Sequence, residues 1–305
     1  LATDFPNVTV IHNPELREGW LGKANAIWHA VQQTPETCRW LLLTDADVIL
    51  QPNTLRYAVT HVEHNAIDFL TCVPRLEHKT LSEQLVLPSL WGALLQAAAP
   101  IRNPKMKPRP IGVGAFILVN RVMYLSSGGH TAIRSQQPED ALLALLISQH
   151  GGKTGAVWTS DMVRVRLYRG YRDLRRILIR KQRLITDDRL FRLVPGIFMT
   201  ILCDLLPPTV LPIIGIQVFF LGRTDIAAIL FLVLSVLAYL ERVRYVRLSG
   251  KVNTLRKVVP WLCPIGAVIR LGIQLSAGMG MLLGKPMEWR GRAFQNTRVQ
   301  SAKNR

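Results

Sequence analysis

Trp40-Leu41-Leu42-Leu43-Thr44-Asp45-Ala46-Asp47 reads as an apolar run of strand length that ends on two carboxylates, one residue apart. In an α/β domain, ligands bind at the carboxyl ends of strands. Alternate residues of an extended chain project the same way, so Asp45 and Asp47 are expected to converge on one hard cation. A Mg²⁺ or Mn²⁺ held by so few carboxylates keeps coordination positions open for phosphate oxygens. Taken alone, an Asp-x-Asp is most often a solvated turn, and its weight depends on what accompanies it.

Upstream, Val8-Thr9-Val10-Ile11 reads as a strand and Pro14–Gly19 as a polar loop. Trp20-Leu21-Gly22-Lys23 then opens a helix with Ala24, Ile27, Trp28 and Val31 on one face. A lysine at a helix N-terminus adds its charge to free N–H groups, a natural phosphate site, although a solvated lysine beside a turn glycine explains Lys23 equally simply. Downstream, Pro52–Glu63 reads as a helix and Ile67–Val73 as a strand. Leu81–Ile101 is a core helix interrupted near Pro88 or, by a small preference, an interfacial element that accepts a lipid; Asn103–Pro110 is a loop. Ile111-Gly112-Val113-Gly114-Ala115-Phe116 enters a strand that runs through Val119, its glycines permitting close approach of a ligand or backbone. Gly128-Gly129-His130 is a structural turn. Gln137-Pro138-Glu139-Asp140 begins a helix with Leu142, Leu143, Leu145 and Leu146 as its buried face, ended by Gly151-Gly152 and followed by a strand over Thr154–Trp158. The helix dipole accounts for one carboxylate in that first turn without requiring two.

The remainder of the 305-residue chain has a different composition. Leu193–Leu221, Ile226–Leu240 and Val258–Gly284 are three apolar stretches, and they raise the hydrophobic fraction to 49%. Their length suits a bilayer, which asks for roughly 20 residues per helix, the second only if Leu221–Asp225 contributes. The net charge of +18 concentrates ahead of them: Arg164–Arg192 holds ten arginines and Lys181 against Asp173, Asp187 and Asp188. Tyr171, Leu174, Ile177 and Leu178 recur among the arginines at helical spacing, as in a helix lying on an anionic membrane surface. No recognition motif accompanies the charge, so nucleic acid is not expected as a partner. The basic loop from Arg242 to Lys257 places that loop and the N-terminal half in the cytosol of a multi-pass plasma (inner) membrane protein. Three full spans would put the equally basic tail after Gly284 outside, a conflict that a re-entrant third segment broken at Pro264 removes. The four cysteines lack metal-ligand spacing and read as reduced and structural. The expected parts are 1–163, an α/β domain; 164–192, a basic interfacial segment; 193–284, the apolar region; and 285–305, a basic cytosolic tail.

Gly19-Trp20-Leu21-Gly22-Lys23-Ala24-Asn25, Thr44-Asp45-Ala46-Asp47, Gly112-Val113-Gly114-Ala115-Phe116, Gly128-Gly129-His130, Glu139-Asp140 and Trp289-Arg290-Gly291-Arg292, in that order, resemble the family 2 glycosyltransferases. These are inverting nucleotide-sugar enzymes with a GT-A (Rossmann-like) fold, and the chain looks most like bacterial membrane enzymes that glycosylate ceramide, hopanoid or carotenoid-acid lipids. The resemblance implies a nucleotide-sugar donor, a membrane-lipid acceptor and a divalent metal, Mg or Mn. Residue by residue, it assigns Asp45 and Asp47 to the metal and sugar diphosphate, Asp140 to the catalytic base with Glu139 beside it, Lys23 to the donor site, and Gly112 and Gly114 to the acceptor side. It also implies that the family's first βαβ portion lies before residue 1, so that the chain is N-terminally incomplete. No Gln-x-x-Arg-Trp sequence is evident, which argues against a processive polysaccharide synthase. A polyprenyl-phosphate acceptor and a non-catalytic membrane scaffold are the alternatives.

Overall fold

A computed structural model describes residues 7–12, 15–88, 110–222, 225–250, 255–289 and 292–294. They form two compact units, one from Leu1–Arg75 and Ala98–Val165, the other from Leu76–Ala97 and Arg166–Arg305.

The first unit is built on a mixed five-stranded sheet of β1 (Trp40–Leu43), β2 (Val48–Leu50), β3 (Phe69–Leu76), β4 (Ile117–Asn120) and β5 (Thr154–Val165), in the order β1-β4-β3-β5-β2. β4 runs antiparallel to both neighbours, with Leu43 opposite Ile117 on one side and Thr71 opposite Ile117 on the other. Side chains alternate across a strand, and the two faces are buried separately. Leu41, Phe69, Ile117 and Val119 pack with Val31, Leu143, Ala144 and Ile147 from the helices Gly22–Gln32 and Glu139–Gln149. Leu70, Cys72, Phe116 and Leu118 pack with Ala58 and Val62 of helix Thr54–His64. Burial on both faces is why these strands read as unbroken apolar runs rather than as alternating ones.

β1 and β2 are four residues apart in sequence yet occupy opposite edges of the sheet. Residues 44–47 therefore cross the end of the sheet, closing a turn in which the Val48 N–H donates to the Asp45 carbonyl at 3.3 Å. The extended alternation expected for Asp45 and Asp47 is replaced by this turn.

Other expectations change for equally local reasons. Val8–Ile11 forms no strand, and Val8 and Val10 are half exposed. The strand expected from Ile111 starts only at Ile117, because the glycine-rich residues before it are held as a loop by the Thr71 hydroxyl, which accepts from the Val113 N–H and donates to the Phe116 carbonyl. On Glu139–Gln149 it is Leu143, Ala144 and Ile147 that are buried, and Leu145 is exposed. The strand expected over Thr154–Trp158 continues to Val165. Of Leu81–Ile101, residues 81–88 are helical with Leu85, Val86 and Leu87 buried, as a core helix requires; 89–101, the loop residues 103–109, and Arg290 and Gly291 lie outside the described residues.

In the second unit the arginine-rich segment forms helix Tyr171–Ile185. Its apolar stripe is covered by protein rather than turned outward: Leu174 and Leu178 pack against Val86, Leu87, Tyr168 and Ile273. Glu83, fully buried, ties this unit together by accepting the N–H groups of Gly170 at 2.7 Å and Lys79 at 2.8 Å. These bonds outweigh the effect of burial, and the Glu83 carboxyl lies below its ordinary pKa.

Among the described residues three helices, Leu190–Phe219, Ile226–Gly250 and Val259–Leu282, are long and apolar enough to cross a membrane. Pro207-Pro208 and Pro264 do not break them. Each sits in the first turn of its helical segment, where the missing N–H would go unpaired anyway, and a π-helical stretch, Thr200–Leu205, joins the two parts of the first. Asp204, in that stretch, is ion-paired to Arg242 of the second helix and Arg270 of the third. All four cysteines are free.

Candidate active site

The site is assembled at the end of the sheet where β1 stops and β4 begins. The Thr44 hydroxyl, just past β1, donates to the Ala115 carbonyl at 2.7 Å and fixes the acidic turn against the loop before β4. Lys23, second residue of helix Gly22–Gln32, reaches the Asp45 carboxylate at 2.7 Å and that of Glu139 at 3.1 Å. Burial lowers the lysine's proton affinity, but the two carboxylates more than reverse this, so its pKa is raised and the ammonium is secured.

Asp140 occupies the first turn of Glu139–Gln149, where the dipole favours an acid. Its Oδ1 accepts the Ala141 N–H at 2.8 Å and its Oδ2 the Gly114 N–H at 2.9 Å. Each oxygen keeps a lone pair for one further proton. Burial, joined by the neighbouring Glu139 charge, raises the Asp140 pKa; the two backbone donors and Lys23 oppose the rise without cancelling it. A carboxylate made more basic in this way is better matched to taking a proton near neutral pH.

The two glycines fit closely against this acid. A Cβ at Gly112 would lie 2.5 Å from the Asp140 carbonyl carbon and nearer still to its oxygen, so a hydrogen is all the position admits. A Cβ at Gly114 would meet Lys23 Nζ at 3.0 Å, Asp45 Oδ2 at 3.3 Å and Asp140 Oδ2 at 3.5 Å. Gly114 is thus ringed by the base candidate, the lysine and the first acid of the Asp-x-Asp.

Lys23, Asp45, Gly114, Glu139 and Asp140 line one cavity of about 510 Å³ together with Leu43, Thr44 and His130. Asp47 is not among its lining residues; it is exposed in the turn and makes no ion pair with another described residue. His130 lies outside the expected chemistry: it is buried, its Nδ1 is 2.8 Å from the Tyr124 hydroxyl, and burial drives its pKa down to about 4, which keeps it neutral. A Gly-Gly-His turn carries no mark that its imidazole borders the cavity. Among the described residues no group of three or more His, Cys, Asp or Glu side chains gathers to hold a metal by protein ligands alone. The acidic turn does offer the donor set that Mg²⁺ uses beside phosphate, one or two carboxylates.

A family model described as glycosyltransferase like family 2 matches residues 1–174. No curated protein matches the chain.

Proposed function

The chain belongs to the glycosyltransferase family 2-like proteins, and from that premise we propose that it moves a sugar from a nucleotide-sugar donor to a hydroxyl or carboxylate of a membrane lipid, with inversion at the anomeric carbon. The observation that carries this reading is the convergence of Lys23, Asp45, Glu139 and Asp140 on one cavity. Membership in the family supports glycosyltransferase activity in general, and the apolar helices support an acceptor that resides in a bilayer.

With a hydroxyl acceptor, Asp140 takes the hydroxyl proton as the oxygen attacks the anomeric carbon, while the bond from that carbon to the donor diphosphate breaks; a carboxylate acceptor attacks without proton transfer. General-base help of this kind is worth roughly 10²–10⁴-fold. The Gly114 and Ala141 N–H groups hold the carboxylate in one orientation, and Glu139 keeps it basic. The departing diphosphate carries growing negative charge, and Lys23, which lines the cavity, is a cation able to meet it. Asp45 and Asp47 would hold a divalent cation, Mg or Mn, which neutralises phosphate charge as a Lewis acid when bound. One base and one direct displacement suffice, without a covalent sugar–enzyme intermediate.

The test is incubation of the full chain, reconstituted in phospholipid vesicles, with labelled UDP- and GDP-sugars and a bacterial lipid extract. Label appearing in a neutral or carboxyl glycolipid supports the proposal. Label confined to polyprenyl-phosphate sugar would replace the acceptor, and no transfer from any donor would remove the reading.

A further inference from the structure

The three long apolar helices are not alike. In the first two, 11% of the most apolar window is buried; in Val259–Leu282 the share is 39%. Along Cys263–Leu282 the buried residues are Gly266, Ala267, Arg270, Ile273, Gln274, Ala277 and Gly278, whereas Ile265, Val268, Leu275, Met279 and Leu282 are exposed. At 3.6 residues per turn these sets fall on opposite faces. One face is wholly apolar and open; the other carries an arginine and a glutamine and is covered by protein.

What covers it is highly charged. Ile273 packs with Leu174 and Leu178 of Tyr171–Ile185, the Arg175 guanidinium donates to Ser276 Oγ at 3.0 Å, and the Arg183 guanidinium donates to the Lys285 carbonyl at 2.9 Å. Gly266 abuts the backbone of Leu85, its absent Cβ only 2.8 Å from that carbonyl carbon. From Gly266 to Gly280, which faces Arg183, is about 21 Å of helix at 1.5 Å per residue. The covering helix bears Arg172, Arg175, Arg176, Arg180, Lys181 and Arg183. An Arg or Lys at the centre of a bilayer is costly, and this helix bears six of them, so it stays out of the hydrocarbon, and so does whatever is bonded along it.

The ion-paired residues give the level. Residues 205–221 and 226–240 contain no Asp, Glu, Lys or Arg, and their α-helical parts, 206–219 and 226–240, rise about 21–23 Å, most of one hydrocarbon thickness. Asp204 and Arg242 stand at the same end of these two runs, and their partner Arg270 is near the middle of Cys263–Leu282. With residues 206–219 and 226–240 as the two crossings, Asp204 and Arg242 mark the hydrocarbon edge, and the middle of Cys263–Leu282 lies there with them.

We infer that Cys263–Leu282 lies along the headgroup–acyl boundary of an anionic leaflet instead of crossing it. Ile265, Val268, Leu275, Met279 and Leu282 enter the acyl region, and the arginine-rich helix behind them meets the lipid phosphates. The chain then crosses the bilayer twice, and the tail with Lys285, Arg298, Lys303 and Arg305 stays on the same side as the basic loop from Arg242 to Lys257. That sidedness satisfies the positive-inside rule, which three spans violate.

Two measurements on the full chain test this, and neither reads sugar transfer. In the first, an epitope is placed either between Arg223 and Thr224 or after Arg305, and sealed inverted membrane vesicles are treated with protease. The epitope after Arg305 should be cleaved and the one at 223–224 protected; protection of both would overturn the inference. In the second, spin labels replace Ile265, Val268, Leu275, Met279 and Leu282 one at a time in vesicles of phosphatidylglycerol and phosphatidylethanolamine, in a background free of native cysteines. Depths that agree within a few ångströms are expected. Depths that sweep about 25 Å from Ile265 to Leu282, the rise of 17 residues, would show a span.

Discussion

Replacing Gly112 with alanine is expected to lower kcat about 10²-fold and to lower thermal stability, while leaving donor affinity nearly intact. The new Cβ would stand 2.5 Å from the Asp140 carbonyl carbon, where ordinary contact begins at 3.4 Å. The obstacle is backbone, so no side-chain rotation relieves it. The first turn of Glu139–Gln149 and the glycine loop must separate by about 1 Å, and a misplacement of that size at a reacting group costs on the order of 10²-fold. The same movement lengthens the Gly114 N–H bond to Asp140 Oδ2, now 2.9 Å, which orients the carboxylate. The assay is release of nucleoside diphosphate in the presence of acceptor lipid, with donor binding followed by calorimetry and folding by thermal melting. Gly215→Ala is the control, because nothing lies within 4 Å of a Cβ there. Wild-type kcat in Gly112→Ala would refute the argument that this glycine exists to seat Asp140.

Glu139→Gln removes a charge that raises the Asp140 pKa. A base must be ionised to act, so activity falls as pH drops through that pKa, which stands above the ordinary 3.8. The acid limb of the kcat/KM profile should therefore move to lower pH in the variant, and an unmoved limb would deny the coupling. In the second unit, Glu83→Gln should cost about 1–3 kcal/mol in chemical denaturation, since a buried acceptor of backbone N–H groups loses its charge. The lowered Glu83 pKa gives stability present above its ordinary 4.5 and lost as pH falls below it, so the wild-type advantage should fade in that acid range. An equal gap between the two proteins at every pH would count against Glu83 as the source.

The order of elements was legible because most of its signals are local. Apolar Trp40–Leu43, the Lys23 helix start, the Pro138-Glu139-Asp140 start and the Gly151 stop each encode their geometry within a few residues, and Gly151 takes the left-handed φ of 83° that ends its helix. Failures came where the answer is non-local. The turn at Asp45–Asp47 follows from β1 and β2 sitting at opposite edges of the sheet, a fact no window of sequence contains. Leu174 and Leu178 announced a face to be covered without saying whether lipid or protein covers it, and Ile273, a hundred residues on, does part of the covering. His130 borders the cavity through the Tyr124 pairing, again a tertiary outcome. The meeting of Asp45 with Glu139, through Lys23, was anticipated only from the ordered motifs, since their spacing in the chain implies nothing about distance.

The central claim is that the Asp140 carboxylate takes the acceptor's proton within the cavity that Lys23 and Asp45 share. Asp140→Asn keeps the shape and, through its one oxygen, the Gly114 contact, gives up the Ala141 one, and supplies no base. Single-turnover transfer from a labelled nucleotide sugar by the reconstituted full chain, measured beside donor affinity, should show turnover reduced by roughly 10²–10⁴-fold with binding unchanged. Turnover at the wild-type rate, with the donor bound as before, would contradict the account.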